Sequence, residues 1–244
     1  MAATILRSEA VKSQFPARSW QAVLFSEFSA TMLSETRPYP CVFGVNGFKA
    51  DQLRYVFVDP LDAGAIAPAL EEYLPQARSF GPNTSLIIFS RPGPIVPMER
   101  YRRRFWDILK DLATLDDKPW PAEIPEGLDT PGWEFCFGGE PLFVVCNTPA
   151  HIFRQSRRAS SMMLTFQPRW VFENILGSKR AADLAFAKVR RRLAEYDLVP
   201  PAPALGRYGD PGTREFQQYF LDDTDRPAKC PFHSLTQPQK EKAA

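Results

Sequence analysis

Apolar residues along this chain fall into short runs of two different periods, and the alternation between them sets out the fold. From Trp20, Val23, Leu24, Phe28 and Met32 recur at helical spacing behind Ser19, a residue suited to cap a helix. Pro38 and Pro40 end that helix. Cys41-Val-Phe-Gly44 then predicts an extended segment and Gly44-Val-Asn-Gly47 a turn, with a short helix or turn over 48–54. Tyr55-Val-Phe-Val58 predicts a strand. A helix follows over about 63–77, with Ile66, Leu70, Tyr73 and Leu74 on one face, and Ser85-Leu-Ile-Ile-Phe-Ser90 predicts a second strand. A strand, helix, strand order favours a parallel pair with a covering helix.

The second half continues in the same style. Residues 98–114 carry an apolar stripe of Met98, Tyr101, Phe105, Ile108, Leu109 and Leu112, opposite a row of arginines at 100 and 102–104. The proline-rich and acidic stretch 116–131 predicts a surface loop. Trp133-Glu-Phe-Cys-Phe137 predicts a strand that turns through Gly138-Gly139 into Leu142-Phe-Val-Val-Cys146, a run apolar enough to be buried on both faces. Met162-Met-Leu-Thr-Phe166 predicts another strand. A short helix with Trp170, Val171 and Ile175 ends near Gly177. Ser178 then caps a long helix to about Tyr196, with Leu184, Val189 and Leu193 inward, and a last helix carries Phe216, Tyr219, Phe220 and Leu221. The expected class is α/β: a single domain over 19–233 with a mixed β-sheet and covering helices, a flexible arm over 1–18 and a disordered tail over 234–244.

Composition narrows the function. With 244 residues, 44% of them hydrophobic, the chain can bury one sizeable core. A formal charge of +2 argues against a dedicated nucleic-acid binder. The absence of a long apolar run or of a signal-peptide pattern predicts a cytoplasmic protein with no membrane partner. Cys41, Cys136, Cys146 and Cys230 show no paired spacing, so reduced thiols are expected. With only His151 and His233 as imidazoles, a closed zinc site is not.

The chemistry concentrates after the strongest strand. Thr148 has the character of a helix cap and Pro149 of a first helical residue, which places His151 in the first turn of a predicted helix. The positive end of a helix disfavours imidazolium, so His151 is expected neutral, with a nitrogen lone pair available. Arg154 and Arg158 follow on the same helical face, with Arg157 beside them. An imidazole among guanidinium groups suits an iron porphyrin, whose metal needs an axial ligand and whose propionates need cations. The same arginines suit a phosphate. A histidine following a strand also serves as a hydrogen-bonded structural residue, and arginine clusters also make solvated faces. At the chain end, Cys230-Pro-Phe-His233 offers a further thiolate or imidazole.

Three groups of residues carry a resemblance that spans roughly residues 20–233. They are Pro40-Cys-Val-Phe-Gly44 with Phe48-Lys-Ala-Asp-Gln-Leu-Arg54; Cys146-Asn-Thr-Pro-Ala-His151; and Tyr219-Phe-Leu-Asp-Asp223 with Lys229-Cys-Pro-Phe232. The chain resembles the YqcI/YcgG family, which includes heme-dependent N-hydroxylases of guanidino compounds from the guanitoxin and cycloserine pathways. That resemblance implies a heme b protein that N-hydroxylates a guanidino or amine substrate with dioxygen. Two electrons would come from a reductase or ferredoxin. His151 would be the metal ligand, with His233 and Cys230 as alternatives. A homodimer is compatible with this picture. A cationic substrate needs a carboxylate partner, for which Glu140 is the first choice, with Asp222 and Asp223 behind it. The alternative of a different class is a heme-binding sensor or carrier without turnover.

Overall fold

In the computed structural model, described over residues 4–128, 130–175, 179–206 and 212–224, the chain is a single domain built on one five-stranded mixed sheet. The strands are β1 (Arg54–Val58), β2 (Leu86–Ser90), β3 (Phe135–Phe137), β4 (Glu140–Asn147) and β5 (Met163–Pro168), in the order β1-β2-β5-β4-β3. The helices are α1 (Ser8–Gln14), α2 (Trp20–Leu33), α3 (Val42–Lys49), α4 (Ala63–Tyr73), α5 (Ala77–Phe80), α6 (Met98–Leu115), α7 (Arg169–Ile175) and α8 (Lys179–Tyr196). β1 and β2 run parallel across the α4 connection, whereas β5 is antiparallel to both of its neighbours. The carboxyl ends of β1, β2 and β4 therefore share one edge of the sheet.

The period-2 pattern of the strands sorts their side chains into two cores. Val56, Ile88, Leu164 and Cys146 lie in one row across the sheet and join α4 and α6 in the larger core. One position further on, Phe57, Phe89, Met163 and Asn147 are paired in register and so share the other face. That face packs on α1 and α2: Phe57 stacks on Phe89 at 5.1 Å, and Phe28 meets Phe89 edge-on. The row ends at the polar Asn147. Phe143 and Val145, expected to be buried, are only half-buried.

Several local expectations need correction. Residues 1–18 were expected as an arm, but Ser8–Gln14 forms a helix whose Val11 is fully buried, and Leu6 pairs with Tyr55. The segment from Cys41 is helical rather than extended. Its Cys41 thiol accepts the Gly44 N–H at the helix start. Gly47 serves close packing rather than a turn, because a Cβ there would lie 2.3 Å from the Asn83 carbonyl oxygen. Leu184 of α8 is 65% exposed instead of inward. The final helix is a short 3-10 turn, Glu215–Gln218. The expected cap at Ser178, the end of α7 at Gly177 and the tail over 234–244 lie outside the described residues. Among those described, no helix is long and apolar enough to cross a membrane.

Candidate functional site

The junction that follows β4 is not an α-helix. After Asn147 the chain makes a turn at Thr148 and then only a single 3-10 turn, Gln155–Arg157. His151 therefore does not share a helical face with Arg154 and Arg158. The backbone here folds inward, and its polar groups must find partners without a helix to supply them. They find them in residues 218–224. The Cys146 N–H donates to the Tyr219 carbonyl at 3.1 Å. The Arg154 Nε donates to the Asp222 carbonyl at 2.7 Å, and Arg157 donates to the Gln218 carbonyl at 3.0 Å. In return, the Asp223 carboxylate accepts the N–H groups of Ile152, Phe153 and Arg154 at 2.7–3.1 Å. Burial works against that charge, but the three donors prevail and hold the Asp223 pKa below the ordinary carboxylate value.

His151 sits at the centre of this interlock, with none of its surface exposed. Its Nε2–H donates to the Leu221 carbonyl at 2.7 Å, and its Nδ1 accepts the Thr148 hydroxyl at 2.9 Å. The Leu221 carbonyl can only accept, so Nε2 carries the proton and Nδ1 is the acceptor. Burial, helped by the nearby Arg157 charge, pushes the imidazole pKa below its ordinary value. The ring is neutral, as the sequence predicts, although the cause is burial and not a helix terminus. Both nitrogens are already engaged.

A heme held by this residue does not fit the packing. Axial ligation needs a free imidazole lone pair, and Nδ1 spends its own on Thr148. Arg154 is 1% exposed and lies 4.0 Å from Asp197, itself buried, and Arg157 is bonded to two backbone carbonyls. Neither presents its charge to propionates. Arg158 alone of the three is exposed, and it donates to the His151 carbonyl at 2.8 Å. Glu140 begins β4, seven residues from Asn147, which at 3.3 Å per residue places it about 23 Å away at the opposite edge of the sheet. Burial raises the Glu140 pKa, opposed by Arg78. The structure therefore gathers His151, Arg154, Arg157 and Arg158 but not Glu140. Asp222 pairs with Arg102, so both members of the acidic pair are occupied. Cys230 and His233 lie outside the described residues, and no group of three or more metal-ligating side chains occurs among those described.

Beside the junction, at the shared carboxyl edge of β2 and β4, lies a recess of about 260 Å³. The end of the Phe89, Met163, Asn147 row forms its floor. Leu24, Glu27, Phe28, Thr31 and Met32 of α2 form one wall, and Arg158 to Ser161 form another, with Arg37 and Tyr196 beyond. The wall follows helical spacing, because positions three and four apart share one face of α2. Ligands in open α/β sheets collect at this edge. The volume lies just under the roughly 300–1,000 Å³ typical of drug-sized ligands, so the recess suits an amino-acid-sized molecule and not a porphyrin. Of these residues the sequence singled out Arg158 as a candidate ligand group and Leu24, Phe28 and Met32 only as a helix stripe; Glu27, Arg37 and Ser161 it did not single out. The one available signal was Glu27, a carboxylate directly beside the apolar stripe of Leu24, Phe28 and Met32.

Comparison with known proteins gives a consistent picture. The profile of the YqcI/YcgG family matches residues 28–233. "Uncharacterized protein YcgG" of Bacillus subtilis (strain 168) is 39% identical over 236 residues, 93% of this chain and 92% of its own. "Uncharacterized protein YqcI" of the same organism is 39% identical over 243 residues, 96% of this chain and 95% of its own. "Putative N(omega)-hydroxy-L-arginine synthase DcsA" of Streptomyces lavendulae is 30% identical over 226 residues, 87% of this chain and 84% of its own. No solved structure matches the chain.

Proposed function

The chain belongs to the YqcI/YcgG family, and from that kinship we propose that it is an oxidoreductase that N-hydroxylates a small guanidino or amine compound. The observation that carries this reading is the 30% identity, over 87% of the chain, with a protein named for making N(omega)-hydroxy-L-arginine. In such a reaction one oxygen atom of dioxygen enters an N–H bond and the other leaves as water. Two electrons and two protons are consumed, the electrons coming from a reductase or ferredoxin. The recess at the carboxyl edge of β2 and β4 supports the reading, because it is of amino-acid size and lies against the interlocked junction.

Insertion of oxygen from O2 draws on a redox group, and the family resemblance implies heme b. In this reading His151 organises the fold beside the site, with both ring nitrogens engaged, and such a group would be held by other residues. The protein's own contribution is to bind and orient the substrate and to hold the surrounding loops closed.

The test is direct. Protein expressed with a heme precursor is analysed for a Soret band, then incubated with L-arginine, a ferredoxin system and ¹⁸O2. The expected result is a guanidino product heavier by one ¹⁸O atom. The reading is abandoned if no hydroxylated product forms from a panel of guanidines and amines while electrons and dioxygen are supplied.

A further inference from the structure

We propose that the recess beside β2 and β4 is a binding site for a zwitterionic amino acid with a cationic side chain, read at its two ends by opposite charges. The proposal rests on the functional reading above and gives it a location and a recognition scheme. Glu27 would take the guanidinium, and Arg37 and Arg158 would take the α-carboxylate.

Three independent features point to a ligand. First, Glu27 lines the recess, and its carboxylate makes no hydrogen bond or ion pair among the described residues, although Arg37 and Arg158 line the same space. Opposite charges that share a recess without meeting leave room for a molecule carrying the complementary pair.

Second, the cations are held in place. Arg37 stacks 4.0 Å over the Tyr196 ring and donates to the Tyr196 carbonyl, while Arg158 is anchored on the His151 carbonyl. A planar guanidinium fixed in this way loses little freedom on meeting a carboxylate. Third, Ser161 lines the recess, is 3% exposed, and its hydroxyl has no hydrogen-bond partner. A buried hydroxyl in that state is costly and calls for a partner.

The spacing is consistent with one ligand that spans both ends. Glu27 lies six residues before the last residue of α2, about 9 Å along the helix axis, and Arg37 follows beyond that end. Such a spacing suits an extended ligand, as arginine is. Between the ends, Phe28, Met32 and Met163 offer apolar contact for a methylene chain, and Asn147 and Gln155 supply polar groups.

Isothermal titration of the full chain with L-arginine, agmatine and L-citrulline tests this scheme without any turnover. Agmatine lacks the carboxylate and citrulline lacks the cation, so each is expected to bind at least tenfold more weakly than arginine. Glu27→Gln should erase the preference over citrulline and keep that over agmatine. Arg37→Gln combined with Arg158→Gln should do the reverse. Ser161→Ala should weaken all three ligands several-fold.

Glu27 and Arg37 are exposed, so circular dichroism and urea midpoints near wild type are expected for their single variants, and Arg37→Gln alone repeats the carboxylate test without the loss of the Arg158 bond to the His151 carbonyl. Glu27→Lys supplies a second test at the same position: a folded Glu27→Lys protein should bind arginine no better than citrulline. The scheme is overturned if wild type binds no guanidino amino acid, or if folded variants bind all three ligands within twofold of wild type. Turnover separates the two readings. Hydroxylation that persists in these variants moves the substrate elsewhere and leaves the activity standing. Selective binding without hydroxylation keeps the site and removes the activity.

Discussion

Replacing His151 by alanine tests the junction most sharply. The substitution removes a fully buried ring that bridges Leu221 and Thr148, 73 residues apart in sequence. The Leu221 carbonyl loses its side-chain donor, and an unsatisfied buried acceptor costs about 1–3 kcal/mol. Thr148 loses less, since its hydroxyl still accepts the Ala150 N–H at 3.2 Å. The vacated ring volume, including the contact with Phe220 at 5.8 Å, adds a cavity term of about 2 kcal/mol. The sum is about 3–5 kcal/mol, a large share of the roughly 5–15 kcal/mol that a domain has in total. At about 2–4 °C per kcal/mol, the melting temperature should fall by roughly 10 °C. Equilibrium urea unfolding measures the energy, and hydrogen exchange over residues 218–224 shows whether that segment loosens first. His151→Gln, which keeps a donor for Leu221, should recover about half of the loss. A variant within 1 kcal/mol of wild type would refute the interlock. So would a His151→Gln protein that kept the wild-type unfolding midpoint, since the ring would then bridge nothing that the fold needs.

Three further outcomes follow from other parts of the molecule. Asp223→Ala leaves three N–H groups without their carboxylate and should cost about 2 kcal/mol in urea unfolding, with the Ile152–Arg154 amides exchanging faster. Gly47→Ala forces a Cβ to within 2.3 Å of the Asn83 carbonyl oxygen and should lower stability by about 1–3 kcal/mol, visible as a reduced thermal midpoint. The pH dependence has two limbs of opposite sign. Burial raises Glu134 to about 8, against the pull of Arg169, so its contribution is full below the unfolded value of 4.5 and is lost as pH rises through about 8. Glu134→Gln should flatten the fall in melting temperature between pH 5.5 and 8.5. Burial lowers the His151 pKa, so its contribution is full above about 6.5 and is lost as pH falls through the lower folded value, a limb that His151→Gln should remove.

Elements with a clear period could be read from the chain because one face of each is buried. The stripe of α6 and the Ser19 cap of α2 appear where the periodicity puts them, and so does the β1-α4-β2 crossover. What failed was local structure set by distant partners. Thr148-Pro149 has the chemistry of a helix start, yet Asp223 takes the N–H groups of Ile152, Phe153 and Arg154, and the helix does not form. At α3 a distant contact decides in favour of a helix. Gly44 and Gly47 read as a turn, but Gly47 is needed where the helix touches the Asn83 carbonyl. Val11 and Leu6 escape notice because α1 has a single buried residue, Val11, and Leu6 lies outside it, which leaves no period to detect, although β1 supplies their docking surface.

The candidate site shows the same effect at the level of chemistry. A histidine with three neighbouring arginines looks reactive in sequence because four polar groups lie within eight positions. In the fold, His151, Arg154 and Arg157 are used to satisfy carbonyls of a second segment, since a buried loop without helical hydrogen bonds needs donors and arginine supplies five. Reactive-looking density along the chain therefore measures how much backbone must be satisfied there. The groups left available for a ligand, Glu27, Arg37 and Arg158, come from three separate segments, and the recess at the end of the Phe89, Met163 and Asn147 row brings them to one space. Arg154→Ala should therefore act on stability far more than on ligand affinity, whereas Glu27→Gln should act on affinity with the unfolding midpoint unchanged. Equal effects of the two variants on both measurements would show that the junction and the recess are one site.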